Sequence, residues 1–210
     1  MTRLNSTKFD LITDTSRENI FNYTHIKPLT RILNALSMTF CVGERFFCDA
    51  VRFHSEFQDD EIVLEIKEFI KQEGQHSMAH RSLNNILQTS YGVDVKSCEK
   101  SATQKLNDLG ITPQKKLLTT VCLEELTAFG GWLYILGGKI AFKRGLQTTN
   151  LWHNHAKEEV DHHFVARTVY KKVYGKNKLK FLLHFAKTSA KLFSQVVENY
   201  RILKQAEKEN

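Results

Sequence analysis

Two short segments decide the fold of this chain: EGQHSMAH at residues 73–80 and HAKEEVDHH at residues 155–163. In the first segment, Glu73 and His76 are one helical turn apart, and His80 is one turn further on. On an α-helix these three side chains fall within about 60° of one another, so they share one face. The segment therefore carries a Glu-x-x-His motif on a predicted helix.

The second segment repeats this pattern. His155, Glu159 and His162 follow one another at i, i+4 and i+7, which places them within about 60° on one helical stripe. A single Glu-x-x-His occurs by chance in many helices, whereas two such motifs in one chain are a much stronger signal. They predict two helices that together hold metal ligands.

A lone glutamate, Glu44, stands in the apolar run FCVGERFFC. A carboxylate in the middle of an apolar helical stripe is costly unless it is paired or bound to a metal. Pairing with Arg45 or Arg52 is one explanation, and metal binding is the other. Its neighbours at three and four residues are Phe40, Cys41, Phe47 and Cys48.

Another candidate carboxylate is either Glu124 or Glu125, and spacing alone does not choose between them. With one of the two, the chain has the order Glu, Glu-x-x-His, Glu, Glu-x-x-His. That order holds a dinuclear metal centre inside four-helix bundles. Two divalent ions close together repel each other, so carboxylates around them cancel the charge and imidazoles complete the coordination.

Further polar residues near the two motifs have more than one candidate role. His80 is a core histidine, an additional ligand, or a group that orients a ligand, and we favour the last of these. Glu158, Asp161 and His163 are expected to be solvated or to support the ligands. The remaining histidines lack a partner pattern and are expected to be structural: His25, His54, His153 and His184.

Apolar residues recur at helical spacing through most of the chain. This predicts an all-α protein, a four-helix bundle with an additional C-terminal helix and an irregular N-terminal segment. We expect residues 1–27 to be an N-terminal extension and residues 28–210 to form the helical domain with the dinuclear metal site. The predicted helices cover about residues 29–57, 60–89, 113–142, 149–174 and 179–207.

Local signals refine this prediction. Residues 90–112 are rich in polar and turn residues and are expected to be a connection, whereas residues 10–14 (DLITD) favour a short strand. The glycines at residues 130–131 and 137–138 indicate close helix packing or a break near Gly137.

The chain has 210 residues and a formal charge of +7. The positive charge is spread without a compact basic block, so no nucleic-acid partner is expected. No apolar leader and no apolar window of about 20 residues is visible, which predicts a cytoplasmic protein. We expect a small-molecule substrate as partner, with a homodimer and a weak membrane-surface contact of the last helix as further options. The lysines of that helix are Lys176, Lys178, Lys180, Lys187 and Lys191.

The motifs together resemble the ferritin-like family called predicted metal-dependent hydrolases. Its pattern Leu-Glu-x-x-Thr-Ala implies Glu124 rather than Glu125 as the ligand. Asp161 and His163 stand where the family pattern has Glu and Lys, and neither is a proposed ligand. The resemblance rests on the runs at residues 33–40, 43–47, 69–80, 123–128 and 152–162.

The stripe of the second segment is also similar to the last-helix pattern of di-iron arylamine N-oxygenases, which add a histidine to the usual six ligands. This resemblance implies seven metal ligands in the present chain. They are Glu44, Glu73, His76, Glu124, His155, Glu159 and His162.

Our main functional hypothesis is an O2-activating di-iron oxygenase or oxidase that acts on a small organic substrate. It would use two Fe ions, O2 as co-substrate and an electron donor. The alternatives are a metal-dependent hydrolase with a bridging water, for which Mn or Zn would serve, and a non-enzymatic metal-binding protein. The expected catalytic residues are Glu44, Glu73, Glu124 and Glu159. Five aromatic residues are expected either to line an apolar substrate pocket or to belong to the core: Phe40, Phe46, Phe47, Phe129 and Trp132.

Overall fold

The computed structural model of the protein describes residues 10–209, apart from the side chains of Phe57, His162 and Glu209. Within that part every regular element is a helix, which confirms the all-α prediction. The α-helices are α1 (Arg17–Phe21), α2 (Lys27–Phe53), α3 (Asp60–Tyr91), α4 (Val95–Leu109), α5 (Pro113–Leu136), α6 (Gln147–His162), α7 (Phe164–Tyr174) and α8 (Lys178–Glu209). Short 3-10 helices cover Ser55–Phe57 and Gly138–Ala141.

Local sequence signals fix several helix ends. The Asp59 side chain accepts a hydrogen bond from the Ile62 amide at the start of α3, and Gly92 ends that helix with φ of 63°. These are the ordinary N-cap and left-handed C-cap arrangements. α5 stops at Leu136 and Gly137 caps it, so the predicted break near Gly137 is confirmed.

Residues 90–112 are not a simple connection, because α4 occupies most of them. The Asp94 side chain accepts a hydrogen bond from the Ser97 amide and caps the helix. The apolar face of α4 is small, which hid its periodicity among polar residues. The buried residues are Val95, Cys98, Ala102 and Leu109.

Two further expectations were wrong. Residues 10–14 form no strand, although Ile12 is buried against the helices. The fourth predicted helix, expected to be continuous over about residues 149–174, begins at Gln147 and is interrupted at His163 into α6 and α7.

Two large apolar clusters fill most of the interior, and a layer of buried polar side chains lies between them along α3. Ile66 and Phe69 belong to the first cluster, with residues of α2, α5 and α7. Ala79 and Leu83 belong to the second cluster, with residues of α1, α2 and α8. The motif that begins at Glu73 falls between these two sets. Packing in these two clusters therefore holds together the four helices that carry the predicted ligands.

No helix among the described residues is long and apolar enough to cross a membrane.

α5 and α6 approach each other closely at Gly131. A Cβ atom there would lie 2.5 Å from the backbone oxygen of Ala156, far inside the van der Waals distance. Gly130 faces open space, where a Cβ atom would meet nothing within 4 Å. The glycine at residue 131 therefore sets the separation between the two helices.

We expect Gly131→Ala to lower the melting temperature, because the backbone of α5 or α6 must shift. Overpacking of this kind costs about 1–3 kcal/mol. Gly130→Ala is the matched control, since both substitutions gain the same helix propensity of about 1 kcal/mol. Thermal unfolding followed by circular dichroism compares the two variants. Equal melting temperatures would show that the close approach is not a constraint.

Candidate metal centre

The helices α2, α3, α5 and α6 each bring one predicted glutamate into the polar layer. Glu73 and Glu124 are 0% exposed, Glu44 is 2% exposed and Glu159 is 3% exposed. His76 and His155 are buried beside them. Six of the seven predicted ligands therefore lie in the interior, and the side chain of His162 is outside the described part of the structure.

The ligand atoms of these residues form overlapping groups. Glu44, Glu73 and His76 offer atoms within 4.8 Å of one another, and so do His76, His155 and Glu159. Nδ1 of His76 is 3.7 Å from Oε1 of Glu73 and 3.5 Å from Oε1 of Glu159. Atoms that share one ion at about 2.1 Å lie at comparable separations. The two groups share His76, so together with the other buried glutamates they form one continuous set of candidate ligands.

A chain of hydrogen bonds across three helices fixes the orientation of His155. The Ser37 hydroxyl donates to Oδ1 of Asn84 at 2.9 Å, so its oxygen accepts from Nδ1 of His80 at 2.9 Å. Nε2 of His80 is then an acceptor, and Nδ1 of His155 donates to it at 2.8 Å. Both nitrogens of His80 are engaged in this chain, which favours the orienting role that we expected for it.

It follows that Nε2 of His155 presents a lone pair to the interior. Oε1 of Glu159 lies only 3.0 Å from this nitrogen. Two acceptors that face each other in a buried site repel unless a proton or a metal ion lies between them. This contact shows that the residues present fit a bound metal ion.

His76 is held in a similar way by Glu158, which the sequence analysis expected to be solvated or to support the ligands. Its Nε2 lies 2.9 Å from Oε2 of Glu158, which is 4% exposed and therefore not solvated. Its Nδ1 is left to face Glu73 and Glu159. Burial disfavours the charged ring, but the contacts with Glu158 and Glu159 outweigh burial and raise the pKa of His76 to about 9.

The electrostatics of the layer also favour a cation. Burial, together with repulsion from a neighbouring carboxylate, raises the pKa of Glu44 to about 8. Burial and neighbouring carboxylates raise the pKa of Glu73 and Glu124 well above the ordinary value. Burial and a neighbouring histidine lower the pKa of His80 and His155. Clustered acids with raised pKa values hold protons that a divalent ion can replace.

The structure distinguishes Glu124 from Glu125. Glu124 is fully buried and lies close enough to Glu159 and Glu44 for their charges to raise its pKa. Glu125 forms an ion pair with Arg167 of α7 instead. Glu124 is therefore the glutamate of α5 that faces the polar layer, as the family pattern implied.

Glu44 also lacks the surface pairing that was the simpler explanation for it. Arg52 pairs with Asp49, at 3.4 Å between Nη1 and Oδ1. Arg45 is exposed while Glu44 is buried. The carboxylate of Glu44 is thus directed into the polar layer with Glu73 and His76.

An apolar cavity adjoins the centre at His155 and Thr127. Phe40 and Trp152 line this cavity, and the Phe40 ring stacks on the His155 ring with 4.8 Å between centroids. Phe47 lines a neighbouring apolar cavity that also reaches Thr127, whereas Phe46 lines a polar surface groove. Two residues expected in the pocket are instead on the surface: Phe129 is 57% exposed and Trp132 is 50% exposed.

Sequence reasoning missed three of the groups that position the ligands. Thr127 donates its hydroxyl to Oε2 of Glu159, and Ser37 and Asn84 begin the chain that orients His155. Glu158 was expected to be solvated or to support the ligands, and the structure places it against His76. Ser37 and Asn84 gave no sequence signal, since only the folded chain brings them together.

The fold and the site define a helical protein with a buried centre suited to divalent metal ions. The chain belongs to the family of predicted metal-dependent hydrolases, whose family model matches residues 6–210. No curated protein and no solved structure matches the chain. The resemblance to this family is thereby confirmed, whereas the ferritin-like bundle and the likeness to di-iron arylamine N-oxygenases stay predictions.

We expect Glu124→Gln to lower the amount of bound metal, because the neutral amide removes one charge from the buried layer. Glu125→Gln is the matched control and should bind as much metal as the unmodified chain. Elemental analysis after dialysis gives the stoichiometry, and circular dichroism checks the fold. Equal losses in the two variants would contradict the assignment of Glu124.

Glu158→Gln should weaken metal binding by about 10–100-fold, because an orienting partner of a ligating histidine is replaced. Asp161→Asn on the same helix is the control, since Asp161 is exposed. Competition with a chromophoric chelator measures the affinity of each variant. An unchanged affinity in Glu158→Gln would mean that His76 needs no such partner.

Proposed function

We propose that this protein is a metal-dependent hydrolase that uses two divalent ions in the buried layer. The observation that carries the proposal is the contact between Nε2 of His155 and Oε1 of Glu159, two facing acceptors at 3.0 Å among buried glutamates. Membership of the hydrolase family supports the same conclusion. The proposed ligands are Glu44, Glu73, His76, Glu124, His155, Glu159 and, from the sequence pattern, His162.

Divalent ions at such a centre supply Lewis acidity, which lowers the pKa of a coordinated water and polarises the bond to be cleaved. The chain supplies the rest. Glu158 holds the His76 ring so that Nδ1 faces inward, and Thr127 holds one oxygen of Glu159. Phe40 and Trp152 pack beside His155 and limit the access of bulk water to that side of the centre.

The apolar cavity beside His155 indicates the class of substrate. Its lining includes Leu36, Leu126 and Trp152, with Thr127 and His155 at the side next to the centre. A chain or ring without charge fits such a lining, because a buried charge without a partner is costly. We therefore propose an ester or amide with an apolar substituent as substrate.

An O2-activating di-iron enzyme is the second candidate. The donor set is compatible with it, since carboxylates and imidazoles bind iron as well as zinc or manganese. The two candidates share their ligands and differ in the metal ion and in the use of O2. The same preparation can therefore test both.

The test loads metal-free protein with Zn, Mn or, under argon, Fe(II), and then assays p-nitrophenyl esters of increasing acyl length. We expect metal-dependent hydrolysis that increases with acyl length. Glu73→Gln should abolish this hydrolysis. The control is Glu68→Gln on the same helix, which should retain it because Glu68 pairs with Lys71 outside the buried layer. No hydrolysis with any metal, together with an O2-dependent absorption band of the iron form, would replace the hydrolase with the oxygenase.

A further inference from the structure

The outer face of α8 is apolar and lies in the open. We define this α8 face as Leu179, Leu182, Leu183 and Phe193, which are 61–72% exposed. Together with the exposed Ala186 and Ala190 they fall within about 100° on the helix, opposite the side that packs on the body. The face extends for about 21 Å at the rise of an α-helix.

The charges around this face are of one sign. Between Asp161 and Glu198 the sequence has no acidic residue, but it has seven lysines and one arginine. Lys180 and Lys187 are seven residues apart and flank the face on one side, and Lys178 lies on the other. Neither Lys180 nor Lys187 forms an ion pair within the described part of the chain.

Two other lysines of the segment are already paired and do not add to this surface charge. Lys172 contacts Asp59 at 2.6 Å, and Lys191 contacts Asp108 at 3.3 Å. The positive charge of the lysines nevertheless affects a histidine of α8. Burial lowers the pKa of His184, and the nearby Lys187, Lys115 and Lys180 lower it further.

We propose that the α8 face docks on the surface of an anionic phospholipid bilayer. A helix with exposed leucine and phenylalanine on one side and lysines along its flanks is the composition that lies in the bilayer interface. The apolar side chains enter the boundary between headgroups and acyl chains, and the lysines meet the negative headgroups.

Charge complementarity favours this occupant over a second copy of the chain. Two copies joined through the α8 face would bring their flanking lysines together, and like charges across an interface disfavour association. An anionic bilayer supplies the opposite charge along the whole face. The proposal is independent of the metal centre, because none of the residues of the face belongs to the polar layer.

The experiment is co-sedimentation of the full chain with vesicles of phosphatidylcholine alone and vesicles that also contain phosphatidylglycerol. We expect binding to the anionic vesicles that falls as salt is added. Lys180→Glu/Lys187→Glu should weaken this binding by more than about tenfold. Leu182→Ser/Phe193→Ser should weaken it by about tenfold or more.

The matched control is Leu64→Ser on α3, because Leu64 is 65% exposed but lies between Glu61, Glu65 and Glu68. It should bind the anionic vesicles as the unmodified chain does. Circular dichroism and metal content of all variants confirm that the fold is retained. Equal binding of the variants, equal binding to both vesicle types, or no binding would each overturn the proposal. A dimer in sedimentation velocity that the α8 variants abolish, without vesicle binding, would assign the face to a second copy.

Discussion

The repulsion among buried carboxylates is the constraint on which the rest of this structure depends. Glu44, Glu73, Glu124 and Glu159 come from four helices and meet in the interior, where each would raise the cost of ionising the others. Such a layer is compatible with a folded chain only if protons or cations share it. The apolar clusters on either side supply the burial that holds the helices together around it, and the missing side chain of Gly131 lets α5 and α6 come close enough to complete it.

The orientation of the imidazoles follows from the same constraint. A buried histidine beside carboxylates can be a cation or a neutral ligand. The hydrogen-bond partner of the ring nitrogen that faces away from the centre determines which of the two it is. His76 has Glu158 at its second nitrogen, which favours the charged ring when no metal is bound. His155 has His80 there, which leaves a neutral ring with an inward lone pair. The two histidines therefore differ in charge, although each lies beside a glutamate on one face of its helix.

The elements that local signals control were predictable from the sequence, and those that depend on tertiary contacts were not. Asp59 and Gly92 cap the two ends of α3, and the Thr112 side chain accepts from the Lys115 amide at the start of α5. These groups act within one turn, so the ends that they cap could be predicted from the sequence. The stripes of Glu and His identified the helices of the centre, because helical spacing determines the shared face. Glu158 and His76 are 82 residues apart, and no spacing rule joins them. α4 was missed because only four of its side chains are buried, too few to show a period.

The centre also accounts for the charge of the surface. Five glutamates lie in the buried layer, so removing them from the 23 acidic residues leaves 18 acids against 30 lysines and arginines. The formal charge of +7 thus understates how basic the outside is. The effect is largest after α6, where the last acids before Glu198 are Glu158, Glu159 and Asp161, two of them inside. A chain that places its acids around metal ions leaves its lysines on the surface with few partners, and α8 is where they border exposed leucines and a phenylalanine.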